Sequence, residues 1–124
     1  MTEDTPTVLV VEDEPLIRMA AVDLVHDAGL KALEAANADD AIQILEARKD
    51  IRIVFTDVDM PGTMDGLKLA HHIRKRWPPI LLIIASGKSI LDEADLPSDA
   101  RFFPKPYEHD RITATLVDLA RRVQ

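Results

Sequence analysis

The sequence predicts an α/β fold, a doubly wound parallel sheet of five strands with helices on both faces. Three observations carry that prediction. Short apolar runs rich in β-branched residues recur at Val8 to Val11, Ile51 to Phe55, Ile80 to Ala85 and, more weakly, around Phe102 and Phe103, each too short for a helix and suited to a strand buried on both faces. Between them the apolar period lengthens to that of an amphipathic helix. Strand and helix alternate along the chain, which implies a parallel sheet covered by crossover helices. Right-handed crossovers place helices on both faces, and a five-stranded unit of this size takes the order 2-1-3-4-5.

The elements follow in order. After the first strand, Pro15 to Asp27 reads as a helix with Leu16, Ile17, Ala20 and Leu24 inward, Pro15 being suited to the first turn. Lys31 to Ala35 is poorer in apolar residues and suits an edge strand. Asn37 is placed to cap a helix that turns Ala38, Ala41, Ile42 and Leu45 inward. Asp65 caps another helix through Leu69, Ile73 and Trp77, which Pro78 and Pro79 stop. Gly87 to Asp99 holds Pro97 and Ser98, so the fourth helix is stunted to a turn or two within Ile90 to Leu96. Ile112, Leu116, Leu119 and Val123 form the stripe of a last amphipathic helix.

Composition narrows the class. The chain has 124 residues, enough for one domain and too few for two separate cores, so residues 1–124 read as one unit. Fifteen basic against twenty-two acidic residues leave a formal charge of −7 with no basic block, which argues against nucleic-acid binding. No apolar run reaches the length of a membrane span, and the polar, acidic start is unlike a signal peptide. Cysteine is absent, which removes disulfides, thiolate catalysis and Cys-ligated zinc. A small, acidic, cytoplasmic domain is expected.

The chemistry collects where the strands end. The first apolar run leads into Glu12, Asp13 and Glu14, the third strand into Asp57, the fourth into Ser86, and the fifth into Lys105 and Pro106. In the predicted order these strands are neighbours, so Asp13, Asp57, Ser86 and Lys105 converge on one rim. Clustered carboxylates repel one another and take up protons unless a cation intervenes. Mg²⁺ suits the need, because it binds through one or two carboxylates together with phosphate oxygens and water. An ionised Asp can then attack phosphorus without a general base, forming an acyl phosphate, while Lys and hydroxyl receive the transferred oxygens.

The segments VLVVEDEP, FTDVDMPG, MDG, IIASGK and FFPKPY, in this order and spacing, resemble the receiver domain of two-component response regulators over essentially the whole chain. The resemblance implies a flavodoxin-like three-layer sandwich of the stand-alone receiver type. It makes Asp57 the phosphoacceptor, Asp13 a direct Mg²⁺ ligand, Glu12 its acidic neighbour and the carbonyl of Asp59 a third ligand. Lys105 then pairs with the phosphoryl group, next to a cis bond to Pro106. Ser86 matches the switch hydroxyl and Phe102 the aromatic that turns inward with it. The implied donor is a sensor histidine kinase or a histidine phosphotransfer protein, and the modified surface engages an output partner. The sequence departs from the family in three ways. The loop between Pro61 and Asp65 is one residue longer than usual, the stretch from Ser86 to Lys105 is shorter, and no effector domain follows Gln124.

Other readings fit parts of the pattern. Asp57-Val58-Asp59 resembles the nucleophile motif of haloacid-dehalogenase-type phosphatases, but there it sits on the first strand of a longer, capped enzyme. A flavin-binding flavodoxin-like domain would need a phosphate-friendly first loop, and Glu-Asp-Glu repels phosphate. A phosphorylation-independent binding module is the remaining alternative. Glu14 and Asp65 read as helix caps, and His26, His71, His72 and His109 as surface residues without metal-ligand pairing. Asp59 and Lys88 lie two positions beyond Asp57 and Ser86, where both can overhang the site and screen an acyl phosphate from water.

Overall fold

In the computed structural model, residues 5–60, 64–87 and 92–123 are described. The elements are β1 (Thr7–Val11), α1 (Pro15–Asp27), β2 (Lys31–Ala35), α2 (Ala38–Ala47), β3 (Ile51–Asp57), α3 (Gly66–Arg76), β4 (Leu81–Ser86), a 3₁₀ turn (Glu93–Asp95), β5 (Arg101–Pro104) and α4 (His109–Arg122). All strand pairs are parallel and the sheet order is β2-β1-β3-β4-β5. The register sets the rim level. Val11 lies opposite Thr56, Asp57 opposite Ala85, and Ser86 opposite Pro104.

Alternation along the strands divides the core in two. Val8, Val10, Ile53, Phe55 and Ile83 face α1 and α4, where Leu24, Val25, Ile112, Leu116 and Leu119 meet them. Leu9, Val11, Val54, Leu82 and Ile84 face the other way, onto Ala41, Leu45, Leu69 and Ile73 of α2 and α3. Central strands buried on both faces explain why these runs are almost unbrokenly apolar. The caps form as the sequence predicts at two helices: Asn37 accepts from the Asp40 amide at 2.8 Å and Asp65 from the Lys68 amide at 2.9 Å. Glu14 occupies the cap position of α1 but its side chain makes no capping bond.

Two expectations need correction. The inward face of α1 is Ala21, Leu24 and Val25, whereas Leu16 is 74% exposed, Ile17 42% and Met19 60%, and Ala20 is exposed too. The helix is apolar on more than one side, so two stripes were available. At 100° per residue, the stripe the sheet selects leaves Leu16 and Ala20 on its flank. Ile17 is aligned with that stripe but sits in the first turn, at the strand ends. The second correction concerns β5, which is half-buried with an exposed Pro104 rather than enclosed on both faces. It pairs with β4 alone, so it is an edge. The stunted connection before it is seen as the single 3₁₀ turn among the described residues; Lys88 to Leu91 lie outside them.

Candidate functional site

Four strand ends deliver the site. β1 runs into Glu12 and Asp13, β3 ends on Asp57, β4 on Ser86, and the residue after β5 is Lys105. The register is locked beyond the strands by backbone bonds, Val58 N–H to the Ala85 carbonyl and Lys105 N–H to the Ser86 carbonyl, both 2.9 Å. The Lys105–Pro106 bond is cis, as the resemblance implies.

The groups converge tightly. Carboxylate oxygens of Glu12, Asp13 and Asp57 lie within 4.8 Å of one another. Lys105 Nζ stands 2.9 Å from Asp57 Oδ1 and 3.5 Å from Glu12 Oε1. Glu12 and Asp57 are 4% and 7% exposed, so water screens this cluster poorly. Burial, then the charge of Asp57, with Asp13 adding to it against the pull of Lys105, raises the Glu12 pKa to about 7. Burial disfavours the Lys105 charge, yet its close ion pair with Asp57, with Glu12 behind, holds its pKa above the ordinary value. Asp57 Oδ1 is fully enclosed and receives no directed hydrogen bond, only the Lys105 ammonium.

That is an electrostatic deficit, and it is the test of whether the residues fit a cation. Among the described residues, three clustered carboxylates have one ammonium beside them, which pairs with Glu12 and Asp57; one carboxyl is pushed toward its proton-bound form, and an enclosed oxygen lacks a directed donor. A hard divalent ion with oxygen ligands satisfies all three.

Other predicted positions fall as follows. Ser86 is buried, and its hydroxyl donates to Asp59 Oδ2 at 3.0 Å; the Gly87 amide donates to the same oxygen at 3.2 Å. The Asp59 side chain therefore leans toward the end of β4. Phe102 is half-buried opposite Ile84 and packs on the α2/α3 side. His71 and His109 are exposed and bonded to Asp95 and Asp27, and His26 is exposed and His72 half-exposed. Lys88, paired with Asp59 in the sequence reading, lies outside the described residues.

Sequence reasoning missed three supporting residues. A Cβ on Gly66 would stand 1.7 Å from the Asp57 carbonyl oxygen, so α3 can start against the end of β3 only with glycine there. The string MDG held that signal. Tyr107 lines the cleft beside Lys105, its ring 5.9 Å from that of Phe55. Arg18 donates to the Glu12 carbonyl at 2.9 Å while pairing with Glu34 of β2 at 3.2 Å. No local pattern announces Arg18, because its partners meet only through the sheet order.

The fold and the site together define a phosphoryl-transfer domain of the doubly wound class, with an acid cluster at the carboxyl rim. The response regulator receiver domain model matches residues 8–117, and the chain belongs to that family as a phosphoacceptor signalling domain. Its relatives agree. The sensor kinase CckA of Brucella abortus is 36% identical over 94% of this chain, and an NtrX-like putative response regulator of Rickettsia bellii is 34% identical over 88%. The chain spans 13% and 23% of those two proteins. Among solved structures, the receiver domain of Brucella abortus NtrX superposes with a TM-score of 0.82 at 29% identity, covering 92% of this chain and 98% of that one. A response regulator receiver protein from Pseudomonas putida gives 0.81 at 30%, covering 92% and 96%. Among the described residues, no helix is long and apolar enough to cross a membrane.

Proposed function

We propose that Asp57 accepts the phosphoryl group. A carboxylate oxygen of Asp57 attacks phosphorus, an acyl phosphate bond forms, and the bond to the donor breaks with the electron pair leaving on the donor nitrogen. The donor is a histidine kinase or a histidine phosphotransfer protein in the cytoplasm. One observation carries the reading: the buried carboxylate that ends the central strand is held at 2.9 Å by an ammonium from the end of a non-adjacent strand, with two further carboxylates within 4.8 Å of it.

Glu12, Asp13, Asp57 and the Asp59 carbonyl are the groups that would hold Mg²⁺. When bound, the ion offsets the repulsion between the acidic rim and an incoming phosphate. Lys105 then follows the transferred oxygens from its place beside Asp57, and Ser86 supplies a hydroxyl donor from the neighbouring strand end. Phe102 is the aromatic whose packing reports the change. Adding a dianionic group biases the domain between two states, a charge event read out as packing at an output surface.

The phosphatase, flavin and phosphorylation-independent readings gain no support from the relatives. Incubation with acetyl phosphate, with and without Mg²⁺, followed by intact-mass measurement tests the proposal. A phosphate-sized gain in the wild type that needs the metal and is lost in Asp57→Asn is expected; an equal gain in Asp57→Asn would overturn it.

A further inference from the structure

The Asp59 carboxylate is engaged with two donors, one of them the hydroxyl assigned above to the phosphorylated state. Its Oδ2 takes the Ser86 hydroxyl at 3.0 Å and the Gly87 amide at 3.2 Å. Ser86 is 3% exposed, so water competes weakly for that hydroxyl. A serine hydroxyl carries one proton. While it is donated to Asp59 it cannot also be donated to phosphoryl oxygens on Asp57. Hydrogen bonds to a carboxylate are charge-assisted and stronger than those between neutral groups.

Resting on the phosphoacceptor reading, we infer that Asp59 is a ground-state latch on the switch hydroxyl. Its side chain holds Ser86 and Gly87 in the unmodified position, and phosphorylation must transfer the Ser86 bond from one anion to another. Only the difference between the two states sets the switching equilibrium. The latch therefore lowers the net gain of phosphorylation, keeps the unmodified domain in one state, and speeds the return when the phosphoryl group leaves. Asp59 acts through Ser86, so it is a positioning residue. The role concerns its side chain and leaves the backbone carbonyl unaltered.

The arrangement differs from simple charge repulsion, because repulsion between Asp59 and a phosphoryl group would persist without the Ser86 hydroxyl. A double-mutant cycle separates the two. Beryllofluoride with saturating Mg²⁺ serves as the phosphoryl mimic, its binding to the whole chain followed by calorimetry and ¹⁹F NMR. Asp59→Ala should bind it about tenfold more tightly than wild type, the scale of one lost hydrogen bond to a charged group. Asp59→Asn, which keeps the shape and a weaker acceptor, should fall between them. In a Ser86→Ala background the gain from Asp59→Ala should shrink severalfold, to what release of the Gly87 amide alone provides. Equal or weaker binding by both Asp59 variants would overturn the latch, and so would a full gain persisting in Ser86→Ala. Absence of binding to the wild type as well would overturn the phosphoacceptor reading itself, an outcome distinct from both.

Discussion

At the residue scale, the acid pocket is organised around a shortage of positive charge. Glu12 is raised to about 7 in the metal-free domain by burial and by Asp57. Because this folded-state pKa lies above the ordinary value of 4.5, its contribution to stability is fully present below about 4.5 and is lost as pH rises through about 7. Binding a cation demands the ionised form, so Mg²⁺ affinity should climb as pH passes through about 7. Calorimetric titrations in two buffers of different ionisation enthalpy should register proton release near neutral pH, and Glu12→Gln should abolish it. Affinity independent of pH between 6 and 8, in the range of about one unit either side of that value, would contradict this account. Lys105 has a different duty. Its ammonium is the one cation at Asp57 among the described residues. Removing it in Lys105→Ala should slow phosphorylation by acetyl phosphate about a hundredfold, the scale of losing one oxyanion-stabilising group. A rate within twofold of wild type would remove Lys105 from the reaction.

At the element scale, α1 and α4 make opposite use of apolar residues. Leu116 of α4 is fully buried against the sheet, whereas Leu16 of α1 is 74% exposed. Leu116→Ala should cost about 2–5 kcal/mol in chemical denaturation, while Leu16→Ala should change stability by less than about 0.5 kcal/mol. Comparable losses would mean that the face of α1 is assigned wrongly. At the junction between β3 and α3, close backbone contact adds to the burial of Val58 and Met60. Gly66 donates its N–H to the Val58 carbonyl at 3.0 Å, and its α-carbon leaves no room for a side chain beside the Asp57 carbonyl. Gly66→Ala should therefore cost roughly 1–3 kcal/mol or more through forced backbone shifts, and it should also slow phosphorylation by displacing Asp57. A variant with normal stability and rate would show that the loop relaxes freely.

At the scale of the whole molecule, one sheet serves two cores. Ile73 lies in the α2/α3 layer and Leu116 in the α1/α4 layer, yet both rest on the same five strands. Single domains of this size unfold cooperatively. Ile73→Ala and Leu116→Ala should lower the same unfolding midpoint, seen alike by circular dichroism and by Trp77 fluorescence. Separate transitions for the two probes would mean the layers are energetically independent. The same sheet couples stability to function, because its carboxyl rim is the site. The site is not a loop laid over the fold. It is where four strands end at a common level.

The sequence by itself determined the sheet order, the helix caps at Asn37 and Asp65, and the meeting of Asp13, Asp57 and Lys105 on one rim. Each was legible because buried strands have a composition of their own and because a parallel sheet puts its carboxyl ends together. The face of α1, the half-burial of β5, the role of Gly66 and the bond between Asp59 and Ser86 were decided only by the tertiary structure. Local pattern cannot choose between two apolar stripes on one helix, nor measure the space left for a Cβ. Nor can it say which acceptor a hydroxyl finds 27 residues away in the chain. Those outcomes depend on distances between segments, which exist only once the sheet has closed the core on both faces.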